Sequence, residues 1–231
     1  MRARVLHDAD HVLRAEGPFA VTIGAVPWGR VARLVTAAGV VYGAVMGGLD
    51  WNGIGSLFSA LKVPVLLTFT VAVCVPSFYV MHAVLGLRED FAAAVRGILS
   101  AQGTVAVVLC ASAPVTAFVY ANGASYPTAL LWNGLAFLFA TVGGQVTLAR
   151  HYRPLVARNR RHRWSLCAWF LLYAFVALKV GWVLRPFVGD PSLPTTFLRE
   201  GKWHENPYAT LFWTAAAFLW NVLGRLHVVS A

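Results

Sequence analysis

The chain has 231 residues, 58% of them hydrophobic and only 12% charged, and its formal net charge is +10 at pH 7. An ordinary soluble domain has about 25% charged residues, so this composition excludes a water-soluble globular fold. The charges are also clumped, because residues 63–87 and residues 97–149 contain no Asp, Glu, Lys or Arg. A membrane-spanning helix needs about 20 apolar residues, so these stretches hold one span and two spans.

We therefore predict an all-α, polytopic transmembrane helix bundle that forms a single integral membrane domain over residues 1–231. Residues 1–33 form a cytoplasmic N-terminal segment, which is charged throughout and lacks the apolar core of a secretory signal. Pro64 is expected in the first turn of the second span, and residues 185–207 form an outer loop. The six predicted spans cover residues 34–49, 63–86, 98–120, 128–149, 164–184 and 208–223.

The distribution of Lys and Arg predicts the orientation of the spans. With the N-terminus inside, the inner segments contain 14 of these residues. The outer segments contain four, which are Lys62, Arg185, Arg199 and Lys202. Because Lys and Arg accumulate in cytoplasmic loops, both termini are predicted to be cytoplasmic.

The first span contains a run of glycines, Gly39, Gly43 and Gly47, spaced four residues apart. This spacing puts them on one helix face, where a second backbone can approach closely. Two occupants of that face stay open at this point, a helix of the same chain and a helix of a partner subunit.

Pro76 and Pro114 fall in the middle of the second and third spans. Each removes an intrahelical hydrogen bond and predicts a kink. Paired kinks can open a cavity, so a small channel or carrier with its path at these prolines is one hypothesis. No Asp or Glu lies within a span, which counts against an ion-coupled carrier. Nearby hydroxyls are expected to bond to the freed carbonyls, namely those of Thr70, Ser77, Ser112 and Thr116.

His82 lies near the cytoplasmic end of the second span. A membrane histidine can ligate a haem or a chlorophyll-type pigment, which makes His82 a speculative ligand, although a hydrogen bond to a neighbour is the simpler interpretation. No cofactor and no metal site are predicted. Three amides inside the spans are expected to form interhelical hydrogen bonds, those of Gln102, Asn133 and Gln145.

The stretch HYRPLVARNRRHRW, residues 151–164, contains five arginines and two histidines. It is predicted to be the cytoplasmic loop between the fourth and fifth spans. Anionic lipid headgroups are expected partners of this loop, and a cytoplasmic protein is an alternative. Nucleic acid is not expected, because no folded platform presents the arginines. The basic loop consists of Arg150, Arg153, Arg158, Arg160, Arg161 and Arg163.

The outer loop is rich in proline and aromatic residues, which predicts a stiff segment. It is expected either to lie on the outer membrane surface or to form a docking platform for an extracytoplasmic partner. The docking residues that we predict are Arg185, Pro186, Phe187 and Trp203.

The stretch from Leu61 to Val115 resembles the Yip1-type membrane proteins. It contains an apolar span, a small-residue break at Gly86, an amphipathic segment at residues 90–99 and a span with a mid-helix proline. The resemblance implies a non-catalytic interaction or trafficking factor of membranes. The whole chain is also similar to bacterial multi-pass proteins without an assigned activity, which implies a bacterial cytoplasmic (inner) membrane.

The sequence contains no hydrolase, zinc-protease or P-loop motif, so we do not expect an enzyme. It favours a non-catalytic integral membrane scaffold, or an accessory subunit of a larger complex with other membrane protein subunits as partners. The alternatives are the channel or carrier at Pro76 and Pro114 and a pigment- or haem-binding subunit at His82.

Overall fold

The structure is a computed structural model that describes residues 7, 9, 10, 28–49, 53–185, 187, 188, 196–198 and 206–210. Within these residues 88% are helical and none lies in a strand. A 3-10 helix at Arg88–Asp90 leads directly into the third long helix. The long helices are α1 (Trp28–Met46), α2 (Gly53–Val84), α3 (Phe91–Ala121), α4 (Tyr126–Arg158) and α5 (His162–Val183).

All five long helices are long and apolar enough to cross a membrane. The prediction of an all-helical chain with several membrane-spanning helices is therefore confirmed at this level. Five of the six predicted spans coincide with α1 to α5. The sixth, residues 208–223, lies outside the described residues except for 208–210, which are helical. The count of six and the orientation stay predictions.

The helices extend further than the predicted spans. Helix α1 starts at Trp28 rather than residue 34, and α2 starts at Gly53 rather than residue 63. Lys62 and Pro64 were expected at the edge of the second span, but both lie inside α2 and are buried. Hydropathy marks where a chain is apolar, whereas the backbone hydrogen bonds of a helix can continue into polar residues at its end.

The predicted basic loop is also mostly helix. Helix α4 continues to Arg158 and α5 begins at His162, so only residues 159–161 link the two helices. Three of the loop's six arginines belong to α4 and one belongs to α5. The link between the fourth and fifth spans is therefore shorter than predicted, because two long helices meet here at a short turn.

The helices pack around α1 and α3. Helix α1 contacts both α2 and α3, α4 lies on α3, and α5 packs mainly on α2. One buried cluster surrounds α1 and includes Leu34, Tyr42, Leu67 and Leu109. A second cluster joins α2 and α3 to α4 and α5 and includes Phe78, Ile98, Leu148 and Trp169.

The face formed by Gly39, Gly43 and Gly47 packs against α2 of the same chain. A Cβ atom at Gly47 would lie 2.5 Å from the carbonyl oxygen of Gly55, and one at Gly43 would overlap the carbonyl oxygen of Ser59. Only residues without a Cβ allow two backbones to approach this closely. Of the two predicted occupants of this face, the structure places the chain's own helix there.

Helices α2 and α3 continue through Pro76 and Pro114 without a break in helical structure. The freed carbonyls belong to Ala72 and Cys110, four residues before each proline. Hydroxyls on the same helices donate instead to other carbonyls, three or four residues earlier, because a Ser or Thr side chain reaches back only that far. The hydroxyls that do so are those of Thr70, Ser112 and Thr116.

Buried amides link the helices, as expected for Gln102 and Asn133. The Gln102 amide nitrogen donates to the Leu67 carbonyl at 2.9 Å, and its oxygen accepts from the Tyr173 hydroxyl at 3.2 Å. Asn133 accepts from the Tyr42 hydroxyl at 2.8 Å. Gln145 differs, because its side-chain oxygen is buried without a hydrogen-bond partner among the described residues.

Because α1 and α2 are in close contact, we expect that one added methyl group at their interface lowers the stability of the protein strongly. Gly43→Ala should lower the free energy of unfolding by about 1–3 kcal/mol, the cost of overpacking a filled interface. The matched control is Gly134→Ala in α4, where a Cβ atom would meet nothing within 4 Å. Thermal unfolding in detergent measures both variants, and equal midpoints would contradict the packing described here.

Candidate functional site

Two interhelical links meet at one end of the bundle, which we call the arginine end. Residues 85–90 connect α2 to α3, and residues 159–161 connect α4 to α5. Gly86 makes the first turn possible because its φ of 71° lies in the left-handed region that favours glycine. The backbone N–H of Leu87 then donates to the His82 carbonyl at 2.8 Å and closes the end of α2.

Asp90 holds the two links together. Its carboxylate accepts from Arg158 Nη1 at 2.8 Å and lies 3.1 Å from His162 Nε2. The Arg158 side chain is 75% exposed, whereas the His162 side chain is fully buried. Arg161 adds a further bond, from its Nη1 to the Leu85 carbonyl at 3.2 Å. The position of the α4–α5 turn is therefore fixed by three separate contacts to residues 85–90.

A buried polar cluster lies beneath Asp90. The His82 ring is 6.1 Å from the His162 ring, centroid to centroid, and Tyr152 lies at the same distance on another side of His162. Ser165 Oγ is 3.3 Å from His82 Nε2. Four elements contribute to this cluster, namely α2, the 3-10 helix, α4 and α5.

His82 is engaged by protein atoms on both ring nitrogens. Its Nδ1 lies 3.2 Å from the Phe78 carbonyl and its Nε2 faces Ser165. The ring also packs edge-on against Phe78 and Phe91. Neither nitrogen points into open space. This geometry therefore leaves neither ring nitrogen free to ligate a haem or a pigment, the speculative role that the sequence suggested for His82.

Two atoms at the centre of the polar cluster have unused hydrogen-bonding capacity. His162 Nδ1 and the Tyr152 hydroxyl are buried and have no partner among the described residues. No group of three or more His, Cys, Asp or Glu residues within the described ranges is placed to hold a metal ion. The described His, Cys, Asp and Glu side chains of the cluster therefore do not converge on a metal.

The surface of the arginine end is strongly basic. Four exposed arginines form no ion pair with any described residue, while Glu89 and Asp90 are the acids beside them. An open groove of about 600 Å³ lies between the two links, lined by both acids and by Arg88 and Arg158. Trp164 is 72% exposed next to the turn. The four arginines without an ion pair are Arg150, Arg153, Arg160 and Arg163.

The other predicted site residues lie elsewhere. The three glycines are at the α1–α2 interface, and Pro76 and Pro114 are inside their helices. Arg185 and Phe187 lie at the opposite end of the bundle, where the Arg185 guanidinium sits 3.9 Å from the centre of the Trp182 ring. Ser59 Oγ donates to the Phe187 carbonyl. Pro186 and Trp203 are outside the described residues.

The pairings that organise the arginine end were missed from the sequence. Asp90 and His162 are separated by 72 residues, and Ser165 and His82 by 83. One signal was available, because residues 89 and 90 are the only acids between residues 51 and 189. An isolated acid pair in so basic a chain indicates a specific partner for at least one carboxylate.

No family model, no curated protein and no solved structure matches this chain. The resemblance to Yip1-type proteins therefore stays a prediction, and the functional argument rests on the geometry of the chain itself.

Asp90→Ala should loosen the arginine end. The variant removes the carboxylate that His162 and Arg158 contact. Hydrogen bonds to a charged group contribute about 1.5–3 kcal/mol to stability, and the exposed Arg158 accounts for little of this free energy. We expect trypsin to cut the bonds after Arg158, Arg160 and Arg161 about tenfold faster, since local opening exposes them. Glu89→Ala changes the neighbouring exposed acid and is the control. Equal cleavage rates for both variants would rule out the role given to Asp90.

Proposed function

We propose that this protein is a non-catalytic integral membrane scaffold or accessory subunit of a larger membrane complex. Its arginine end would bind anionic partners, both lipid headgroups and acidic segments of other membrane subunits. The observation that carries the proposal is the set of four exposed arginines that form no ion pair with any described residue, located on and next to the helix ends that Asp90 contacts.

Rigidity is what makes this basic surface suitable for a partner. Arginine presents a planar fork of donors that matches a carboxylate or phosphate group. A flexible loop would lose side-chain and backbone freedom on binding, whereas helix ends that are already ordered lose less. Each basic residue near an anionic membrane surface adds about 1 kcal/mol of attraction. The exposed Trp164 is of the type that settles at a membrane interface.

The channel or carrier at Pro76 and Pro114 stays an alternative hypothesis. Several polar side chains near these prolines, Thr70, Ser112 and Thr116, bond to carbonyls of their own helices. Trp132 from α4 donates to the Thr116 hydroxyl at 2.9 Å and covers it. This internal bonding favours the scaffold over a water-filled path. Flux through liposomes that Pro114→Ala alters would support the alternative.

The proposed location is a bacterial cytoplasmic membrane with the arginine end facing the cytoplasm. The support is the excess of Lys and Arg at this end, which the positive-inside tendency places on the cytoplasmic side. In this orientation the links at residues 85–90 and 159–161 are cytoplasmic, and the turn at residues 122–125 is outside.

Cysteine labelling tests the proposed orientation. In a background with Cys74, Cys110 and Cys167 replaced by Ala, a membrane-impermeant maleimide should label Ala121→Cys in intact spheroplasts. Arg160→Cys should be labelled only after lysis, because the arginine-rich end of the bundle is expected on the cytoplasmic side of the membrane. The reverse pattern would place the arginine end outside.

Removing the charge from the basic surface tests the proposed role. The variant replaces Arg150, Arg153, Arg160 and Arg163 with Gln. After purification in mild detergent, the variant should retain about tenfold less of the acidic membrane proteins and anionic lipids that accompany the wild type. A tenfold change corresponds to only part of the binding free energy that four charge contacts contribute.

The matched control replaces the same four arginines with Lys, which keeps the charge and should retain most of the binding. Quantitative mass spectrometry measures the lipids and proteins of each particle. A wild-type particle that holds this chain alone, with no enrichment of anionic lipid, would contradict the proposed function.

A further inference from the structure

An apolar cleft lies at the end of the bundle opposite the arginine end. It has a volume of about 270 Å³ and lies between α4 on one side and α2 and α5 on the other. Helices α4 and α5 are joined at the arginine end and contact each other less than they contact α3 and α2. Leu130 of α4, which lines the cleft, is 49% exposed.

Two glycines leave the cleft open. A Cβ atom at Gly134 in α4 would meet nothing within 4 Å, and one at Gly181 in α5 would meet only Leu66 at 3.9 Å. Both glycines line the cleft. Larger side chains at these two positions would occupy the space that a ligand could fill.

The floor of the cleft offers a ligand no polar contact. Of the polar side chains that line the cleft among the described residues, Asn133 alone is buried, and its amide is fully used in hydrogen bonds within the protein. Its oxygen accepts from Tyr42, and its nitrogen donates to the Tyr120 hydroxyl at 2.6 Å and to the Ala129 carbonyl at 2.7 Å. The buried part of any ligand must therefore be a hydrocarbon, since an unmatched polar group here would lose its hydration without compensation.

The length of the cleft matches one leaflet of a membrane. Its lining along α4 runs from Tyr126 to Phe137, which corresponds to about 16 Å of helix. Half of a bilayer's hydrocarbon core is about 15 Å thick. A single acyl chain that follows α4 would thus reach from the headgroup level to the middle of the membrane.

A positive charge stands at the headgroup end of the cleft. Arg185 lines the cleft, is exposed and forms no ion pair with any described residue. Its guanidinium rests on the Trp182 ring at 3.9 Å, which orients its remaining donors. A guanidinium in this position recognises a phosphate group, to which it can donate two parallel hydrogen bonds.

We propose that this cleft binds an anionic phospholipid of the surrounding leaflet, with one acyl chain between α4 and α5 and the phosphate at Arg185. The hydrocarbon floor, the leaflet-length groove and the terminal cation together fit this ligand. The site is separate from the arginine end and does not depend on the function proposed above.

Photolabelling in nanodiscs tests the site. The full chain is placed in phosphatidylcholine nanodiscs that contain phosphatidylglycerol with a diazirine on one acyl chain, and labelled peptides are mapped by mass spectrometry after irradiation. We expect label on α4 between residues 126 and 137. Arg185→Gln should reduce that label about tenfold for phosphatidylglycerol, the effect of losing a charge-assisted hydrogen bond.

Gly134→Phe should reduce the label to a similar extent by filling the cleft. The matched control is Gly29→Phe in α1, the same change at another exposed helical glycine without neighbours within 4 Å. If Gly134→Phe does not yield a monodisperse protein, Gly181→Val fills the cleft from α5.

Three results would overturn the proposal. The first is the absence of label between residues 126 and 137 in the wild type, which would mean that another part of the chain occupies the cleft. The second is label that both cleft-filling variants leave unchanged. The third is equal labelling by a diazirine phosphatidylcholine together with no effect of Arg185→Gln, which would remove the selection for an anionic headgroup.

Discussion

The close contact between the backbones of α1 and α2 is the constraint on which the rest of the bundle depends. Because Gly43 has no Cβ atom, α1 lies directly on α2 and still reaches α3 on its other side. From this position Tyr42 bonds to Asn133 of α4, and the Met46 carbonyl accepts from Tyr120 of α3 at 3.0 Å. A wider separation would remove α1 from the reach of both helices. The hydrogen bonds that α1 makes to α3 and α4 therefore depend on its close contact with α2.

The two ends of the bundle differ in how their helices are joined. At the arginine end, contacts to Asp90 draw α4 and α5 towards residues 85–90, while four exposed arginines there form no ion pair with any described residue. At the opposite end both helices line an apolar cleft, with Arg185 as the cation among its described lining residues. Contacts to Asp90 hold the helices together at one end, and two glycines without side chains leave space for the cleft at the other. A basic surface for partners and a lateral cleft for a lipid are thus compatible in one small fold.

Much of the fold could be predicted from the sequence, because apolar stretches of span length have few alternatives to a membrane helix. The glycine face and the amide bonds of Gln102 and Asn133 followed from local spacing and chemistry. The pairing of Asp90 with His162 did not, since it depends on how four separate elements converge. The burial of Lys62 was missed because its cover comes from residues far along the chain. The cleft has no sequence signature either, because its lining residues come from four helices and from residues 185, 187 and 188.

The residues that bury Lys62 are synthesised long after Lys62 itself, which determines when this side chain can become buried. The Lys62 side chain is fully buried, and its ammonium lies 5.0 Å from the centre of the Phe197 ring. Ser59, one turn earlier, bonds to Phe187, which is 128 residues further along the chain. A ribosome adds about 5–20 residues per second, so this cover emerges roughly 6–26 seconds after α2 does. During that interval α2 carries a lysine that the finished protein shields. Lys62 therefore reaches its buried environment only after the residues up to Phe197 have been synthesised.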